Sequence, residues 1–439
     1  MGYPNYTTKL NLIKLSIPIF LANLVIPLVG LVDTILVGHL GSEKYLTAIS
    51  ISTSLMTLIL WSFGFLRMGA VGIISQALGK GDYREIVLST IRYLIIALII
   101  SLVIILLKKP IILFVELFFS PKGFTKSLIN DYISIRVFSA PAELIIYVLV
   151  GFYLGLQKTK TSSLLVIFFS ISNIFFSMYF VLSLGLELQG VALGTLFSSY
   201  LTVTIFLIYT YFYILNKFNI IPRIKRVFIK KKFIKLFNIN LDIFIRTILL
   251  TFSFFWITYL GSTIGEEYVA VNTILIQFIM FSSFFLDAYA FSTESIVGYS
   301  LGRNSLKSFI LAVKNSFELS FFTGLIISIF YIIFSKSIIG LITDLELLKY
   351  LSYGFIFWII IIPPVASFCY QFDGIFIGSS QTAEMRNAMI FSVVFFIACS
   401  IFLVKHLENH GIWLSLLLFM FVRSLTLNFY FSNILRKFK

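Results

Sequence analysis

Long apolar runs, each cut off by a short polar break, follow one another along the whole chain. They predict twelve helices, at 15–39, 45–77, 87–108, 132–156, 162–184 and 190–215, then at 239–260, 268–299, 308–334, 351–378, 387–405 and 411–434. A helix crosses bilayer hydrocarbon with about 20 mostly apolar residues, and each run is close to or beyond that length. Backbone polar groups in lipid must be satisfied within their own helix, so such a chain is an all-α integral membrane protein. The second run of each set is long enough to project beyond the bilayer. The breaks are chemically marked: Gly79-Lys80-Gly81-Asp82 follows the second run, and Gly302-Arg303-Asn304-Ser305 follows the eighth.

The first run starts after Lys9 and Lys14 and stays apolar from Leu15 to Leu40. That exceeds the apolar core of a secretory signal, and no small-x-small cleavage site follows. It is read as the first spanning helix.

Composition agrees. Of 439 residues, 59% are hydrophobic and 12% charged, and the mean hydropathy is +1.01. A soluble globular chain carries about twice that charged share. The net charge of +15 alone would also suit a nucleic-acid binder, but the Lys and Arg residues sit in the breaks between runs. The densest break, Asn216 to Lys235, holds Lys217, Arg223, Lys225, Arg226, Lys230, Lys231, Lys232 and Lys235. It separates an N-terminal six-helix lobe, 1–215, from a C-terminal one, 239–439, and 216–238 reads as a basic linker. Alternate breaks carry the larger share of cations. The positive-inside rule then places the linker and both termini in the cytoplasm, with the chain in the inner (plasma) membrane.

Sliding the chain on itself by 223 residues superimposes its halves. Gly38 meets Gly261, Glu43 meets Glu266, Leu78-Gly79 meets Leu301-Gly302, Pro141 meets Pro364, Gly151 meets Gly374, Gly155 meets Gly378 and Thr159 meets Thr382. Each repeat holds an even number of spans, so both enter the membrane in the same direction. The expected fold is therefore two parallel, pseudo-symmetric six-helix bundles. Transporters of this construction place their substrate route between the bundles.

Ionisable side chains inside spans are costly and mark function by default. The first half has Asp33, Arg67, Arg136 and Glu143, and the second has Arg246, Asp287, Glu294, Asp373 and Arg423. Asp33 lies six residues after Pro27, which removes a helix hydrogen bond and predicts a kink. A bendable helix with one carboxylate in apolar surroundings suits a proton switch, since charged and neutral forms favour different helix shapes. The competing reading is an acid at the outer end of the helix that faces water. Arg136 and Glu143 stand seven apart, on one helix face, and Asp287 and Glu294 repeat that spacing. Arg246, Asp373 and Arg423 suit counter-charges in the second bundle, and Arg67 suits pairing with an acid. For these residues a substrate path and a structural ion-pair network both stay open. The charges are not duplicated: under the offset Asp33 meets Trp256, Asp287 meets Gly64 and Asp373 meets Val150.

The remaining chemistry is sparse. Cys369 and Cys399 fall in apolar runs and read as small core residues. His406 and His410 flank Asn409-His410-Gly411, a turn rather than a metal site, and no cofactor is implied.

The chain resembles the multidrug and toxic compound extrusion (MATE) family in its DinF-like branch. The resemblance rests on Ile17-Pro18, Pro27-Leu28-Val29-Gly30-Leu31-Val32-Asp33-Thr34, Gly38-His39-Leu40, Phe65-Leu66-Arg67-Met68 and Ser139-Ala140-Pro141-Ala142. In the second half it rests on Leu286-Asp287-Ala288, Asp373-Gly374-Ile375-Phe376-Ile377-Gly378 and Thr382-Ala383-Glu384-Met385-Arg386-Asn387. It implies two six-helix lobes around a V-shaped cleft, and export of small amphipathic or cationic molecules by alternating access against protons or sodium. Asp33 matches the family's ion-coupling aspartate, and Asn173 and Thr195 match polar residues of the same pocket. One departure stands out: where many members carry an aspartate four residues after that asparagine, this chain has Ser177. That favours a proton over sodium. The implied protein is a monomer with no nucleic-acid partner. Two other readings are a lipid-linked precursor flippase of the same superfamily and a membrane-embedded transferase. The second would need paired acidic metal motifs, and the sequence has none, nor a HExxH element. An enzyme is therefore not expected.

Overall fold

The computed structural model describes residues 7–220 and 224–438, and there the secondary structure is helical without strands. Arg223 of the expected linker lies outside the described residues. In chain order the helices are α1 (Lys9–Gly38), α2 (Glu43–Ser62), α3 (Phe65–Lys80), α4 (Tyr83–Leu106), α5 (Lys108–Phe119), α6 (Gly123–Arg136), α7 (Ala140–Gly155), α8 (Thr159–Met178), α9 (Glu187–Phe218), α10 (Ile224–Val227), α11 (Lys230–Ile264), α12 (Glu266–Gly302), α13 (Leu306–Ile342), α14 (Glu346–Gly354), α15 (Ile356–Gly378) and α16 (Thr382–Leu435). Among the described residues eleven helical stretches are long and apolar enough to cross a membrane. The last of them holds two spans, because Glu408 (φ 48°, ψ −129°) breaks α16. Twelve spans result.

Several runs that read as single helices are divided. The second expected helix breaks at Phe63-Gly64 into α2 and α3, whereas its counterpart α12 is continuous. The fourth is interrupted by a tight turn, Val137–Ser139, and Pro141 then sits in the first turn of α7. A proline there gives up an amide with no helical partner anyway. The amphipathic α5 was not expected at all: it is only 12 residues long and follows directly on α4.

The repeat is visible in how the chain turns. Asp82 caps α4 by accepting from the Glu85 amide (2.9 Å), and Ser305, 223 residues on, caps α13 in the same way. The residue before each cap is left-handed, Gly81 at φ 71° and Asn304 at φ 54°. The connection after α7 has Gln157 at φ 60°, and that after α15 has Ser380 at φ 51°. Past Val181 and Val404 the offset falls to 221, so Glu187 (φ 47°) pairs with Glu408 (φ 48°). Two extra residues in the first-half connection account for the change.

Packing repeats too. A Cβ on Gly151 would lie 2.6 Å from the Arg67 carbonyl oxygen, and one on Gly374 2.6 Å from that of Ala290. Gly155 closes on Val71 as Gly378 closes on Glu294. Each pair of residues is again 223 apart, so the α3/α7 and α12/α15 crossings are one design. Glycines four residues apart let two backbones touch, and in lipid such close packing drives helix association. Gly378→Ala would overpack a backbone contact, at a cost of about 1–3 kcal/mol. A lowered thermal midpoint in detergent is expected. Gly340→Ala on α13, where nothing lies within 4 Å of an added Cβ, should leave the midpoint unchanged. Inside α15, Pro364 frees the Ile360 carbonyl, and Ser328 of α13 donates its hydroxyl to it (2.6 Å).

By contacts the chain forms two compact units. Leu21–Leu236 is one. Residues up to Phe20 go with Phe237–Lys439 in the other. The unbroken helix α1 therefore belongs to both. Its first turns pack on the second repeat: Ser16 donates to Ser292 (2.9 Å), the Phe20 and Phe285 rings are 4.1 Å apart, and Leu12 and Leu15 join Ile296 and Ala312 in a small core. The expected N-terminal lobe assigned the whole of helix 1 to the first repeat.

The linker after α9 is held to the first repeat. The buried Arg92 of α4 donates to the Arg226 and Val227 carbonyls (2.8 and 2.9 Å), and Glu85 pairs with both Arg92 and Lys232 (3.0 Å each).

Candidate functional site

Asp33 lies in the second half of α1, and only 7% of its surface is exposed. The water-facing reading is therefore not what the fold gives. It is grouped with residues from two helices of the same unit. Ser177 of α8 and the charge of Arg136 both act on its carboxylate. One turn before Ser177, Asn173 donates from Nδ2 to the Thr195 hydroxyl of α9 (2.9 Å). Gly194 brings α9 this close: an added Cβ would sit 2.6 Å from the Ser177 amide nitrogen. Asn173, Ser177 and Thr195 are all buried. Asp33 Oδ1, Asn173 Oδ1 and Ser177 Oγ are buried with no hydrogen-bond partner. Buried polar atoms are almost always paired, so the unpartnered Asp33 Oδ1, with Ser177 acting on the same carboxylate, is a candidate place for a proton or a small cation.

The second repeat closes this place. Trp256, the counterpart of Asp33, donates from Nε1 to Ser400 (2.9 Å), the counterpart of Ser177. Asn173 is matched by the fully buried Phe396, and Thr195 by Leu416. The same positions meet in both halves, but one set forms a polar pocket and the other an aromatic core.

Beside Asp33 lies a charged cluster. Arg136 pairs with Glu143, and Ser139 donates to Glu143 (2.7 Å), all across the turn between α6 and α7. Arg136 also acts on the Tyr132 hydroxyl and has the Asp33 charge within reach. In the second repeat Arg246 of α11 and Arg423 of α16 both donate to Oδ2 of Asp373 on α15. All three are buried. The expected counter-charges thus serve Asp373, and Asp287 acts on Arg246 from half-buried α12. Glu294 is buried where its carbonyl meets Gly378. Arg67 sits in the first turn of α3, just after the Gly64 break, with its carbonyl against Gly151. Pro27 lies within unbroken α1. His410 accepts from Trp358 Nε1 (3.0 Å), and no cluster of metal-ligating side chains occurs among the described residues.

The MatE family model matches residues 18–179 and 243–402, once in each repeat. The chain is 31% identical to DNA damage-inducible protein F of Escherichia coli over 94% of its own length and 90% of that protein's. It belongs to the MATE family. This MATE chain is also 21% identical to the multidrug export protein MepA of Staphylococcus aureus, over 70% of its own length and 68% of that protein's. Among solved structures it is similar to the outward-facing conformation of a multidrug resistance MATE family transporter, with a TM-score of 0.87, 20% identity, and 100% and 97% of the two chains covered. The likeness gives the MATE fold, a multi-pass membrane transporter.

Of the residues singled out in the sequence, the MATE fold brings Asp33 near Arg136 and Glu143, and Asn173 against Thr195, in the first repeat, and Arg246, Asp373, Arg423 and Asp287 together in the second. Sequence reasoning missed Ser139, Tyr132 and the Trp256–Ser400 pair. A signal for the last existed, since applying the 223 offset to Ser177 gives Ser400.

Proposed function

We propose that this transporter exports small amphipathic or cationic compounds by exchanging them for protons, with Asp33 as the coupling carboxylate. The observation that carries the reading is the orphaned, buried Asp33 oxygen in a polar pocket whose counterpart is filled by Trp256 and Phe396. At this repeat-related place the described residues are polar in the first repeat and aromatic in the second, which favours the first for the ion chemistry. A proton on Asp33 neutralises it and gives Oδ1 a hydrogen to donate or a reason not to accept. Ser177 offers a neutral oxygen where a second carboxylate would favour a metal cation. Asn173 and Thr195 hold each other and present the remaining oxygens.

The two protonation states ask for different surroundings, because an ionised carboxylate in low dielectric needs donors or a cation that the neutral acid does not. Helix α1 carries this difference past Pro27 toward Phe20, where it is packed on the second repeat. Alternating access then follows from a bias on α1. The multidrug export relative supports the substrate class. The charge bias of the breaks supports an inner-membrane protein with both termini cytoplasmic. A monomer suffices, since the pocket is built within one chain. The second-repeat triad braces three helices and is a candidate contact for substrate.

The test is transport of a cationic dye in proteoliposomes. A pH gradient without sodium should drive dye movement, and a sodium gradient at uniform pH should not. A sodium-dependent, pH-independent rate would overturn the proton assignment.

A further inference from the structure

At the linker end of α9 the chain forms an open cavity of about 300 Å³ lined by Tyr209, Phe212, Tyr213, Asn216 and Lys217. It is not the Asp33 pocket. Tyr213 follows Thr195 by eighteen residues on the same helix, or about 27 Å of rise.

Lys158, from the connection between α7 and α8, reaches this wall. Its Nζ stands 3.7 Å from the centre of the Tyr213 ring. Burial and the neighbouring charge of Lys217 both pull the Lys158 ammonium below its ordinary pKa. Among the described residues no carboxylate acts on it. Lys217 thus lines the cavity, and Lys158, close enough to feel its charge, stands against the ring of the lining residue Tyr213. Like charges are held together here at a cost that an anion would remove. The lining is also two-sided. Tyr209 and Phe212 are about half exposed, at 46% and 55%, as residues facing lipid are. Asn216 and Lys217 are exposed at the polar end of the helix, and the basic linker follows them.

We propose that this cavity binds the headgroup of an anionic phospholipid, with the phosphate between Lys158 and Lys217. Asn216 donates to the headgroup oxygens. An acyl chain runs along Tyr209 and Phe212 toward the hydrocarbon. Basic pockets at the polar ends of spanning helices suit such headgroups, and the volume is at the small end of ligand sites. A soluble anion would use the lysines but not the lipid-facing wall. The proposal is independent of the proton assignment at Asp33, and its test does not involve transport.

The test is native mass spectrometry of the detergent-purified full chain with added phosphatidylglycerol, phosphatidylcholine or inorganic phosphate. The wild type should retain phosphatidylglycerol over phosphatidylcholine, and inorganic phosphate should not compete it off. The double variant Lys158→Gln/Lys217→Gln should bind phosphatidylglycerol on the order of thirtyfold more weakly, the attraction of two cations being lost. Lys158→Arg/Lys217→Arg should retain it. Lys217→Gln alone, on an exposed side chain, keeps the test open if the double variant does not fold, and should show a several-fold loss. Equal retention of both lipids, an unaltered Gln variant, or displacement by inorganic phosphate would each overturn the proposal.

Discussion

Asp33→Asn is expected to abolish concentrative efflux while leaving a folded protein. The substitution keeps shape and polarity in the pocket but removes the only carboxylate among Asp33, Asn173, Ser177 and Thr195. In exchange for a monovalent cation the membrane potential cancels, and one proton moving down about 1.7 pH units supplies about 2.3 kcal/mol, equivalent to a roughly fiftyfold concentration ratio. Without a titratable group that ratio collapses to equilibration. Cells expressing the variant should accumulate dye to the level of cells lacking the transporter. The variant should still elute as a monodisperse species with an unchanged thermal midpoint, because Asp33 Oδ1 makes no hydrogen bond that asparagine would lose. Efflux equal to wild type would remove Asp33 from the coupling mechanism, whatever the rest of the pocket does.

The second large effect concerns stability. Asp373 accepts from Arg246 and Arg423 on one oxygen, so three helices, α11, α15 and α16, meet at a single buried carboxylate. Asp373→Asn leaves two buried guanidinium groups facing each other with no anion on that residue. Breaking a buried ion pair from one side costs about 3–5 kcal/mol, most of it the penalty of the uncompensated charge. The expected result is a steep drop in thermal midpoint and in yield. Replacing all three by apolar residues of similar volume, R246M/D373L/R423M, should recover most of the loss, because the triad's own buried charges are then gone and only half-buried Asp287 remains beside it. If Asp373→Asn is as stable as wild type, the triad is not a brace, and its charges are then free for ligand. The glycine crossings are tested by a smaller effect at Gly378. The two measurements together separate electrostatic from steric stapling of the second repeat.

Much of the architecture was readable in the chain because lipid imposes one strict rule. A segment in hydrocarbon must be apolar and helical, so twelve apolar runs had to become twelve spans. The repeat was readable for a related reason. Turns that need left-handed backbone and crossings that need a missing Cβ accept few residue types, so Gly81 with Asn304, Gly151 with Gly374 and Pro141 with Pro364 kept their spacing. The Gly64 break was not readable, since apolar sequence runs straight through it. The same holds for α5, which is apolar like a span but too short to be one. The assignment of the first turns of α1 to the second repeat was hidden as well. Ser16, Leu12 and Leu15 look like any span, and only their partners Ser292, Ile296 and Ala312 decide where they belong.

For the site, the sequence by itself determined that an acid stood in a span and that the second copy had replaced it with Trp256. It could not say whether that acid met water. Tertiary structure decided this by burying Asp33 with Ser177 acting on its carboxylate, and by closing α8 and α9 at Gly194, where Asn173 meets Thr195. It also decided which charges meet. Arg246, Asp373 and Arg423 are separated by long stretches of chain, and nothing in spacing or composition couples them. Charge type is written in the residue, but whether a charge is solvated, paired or orphaned depends on what other helices bring within a few ångströms of it.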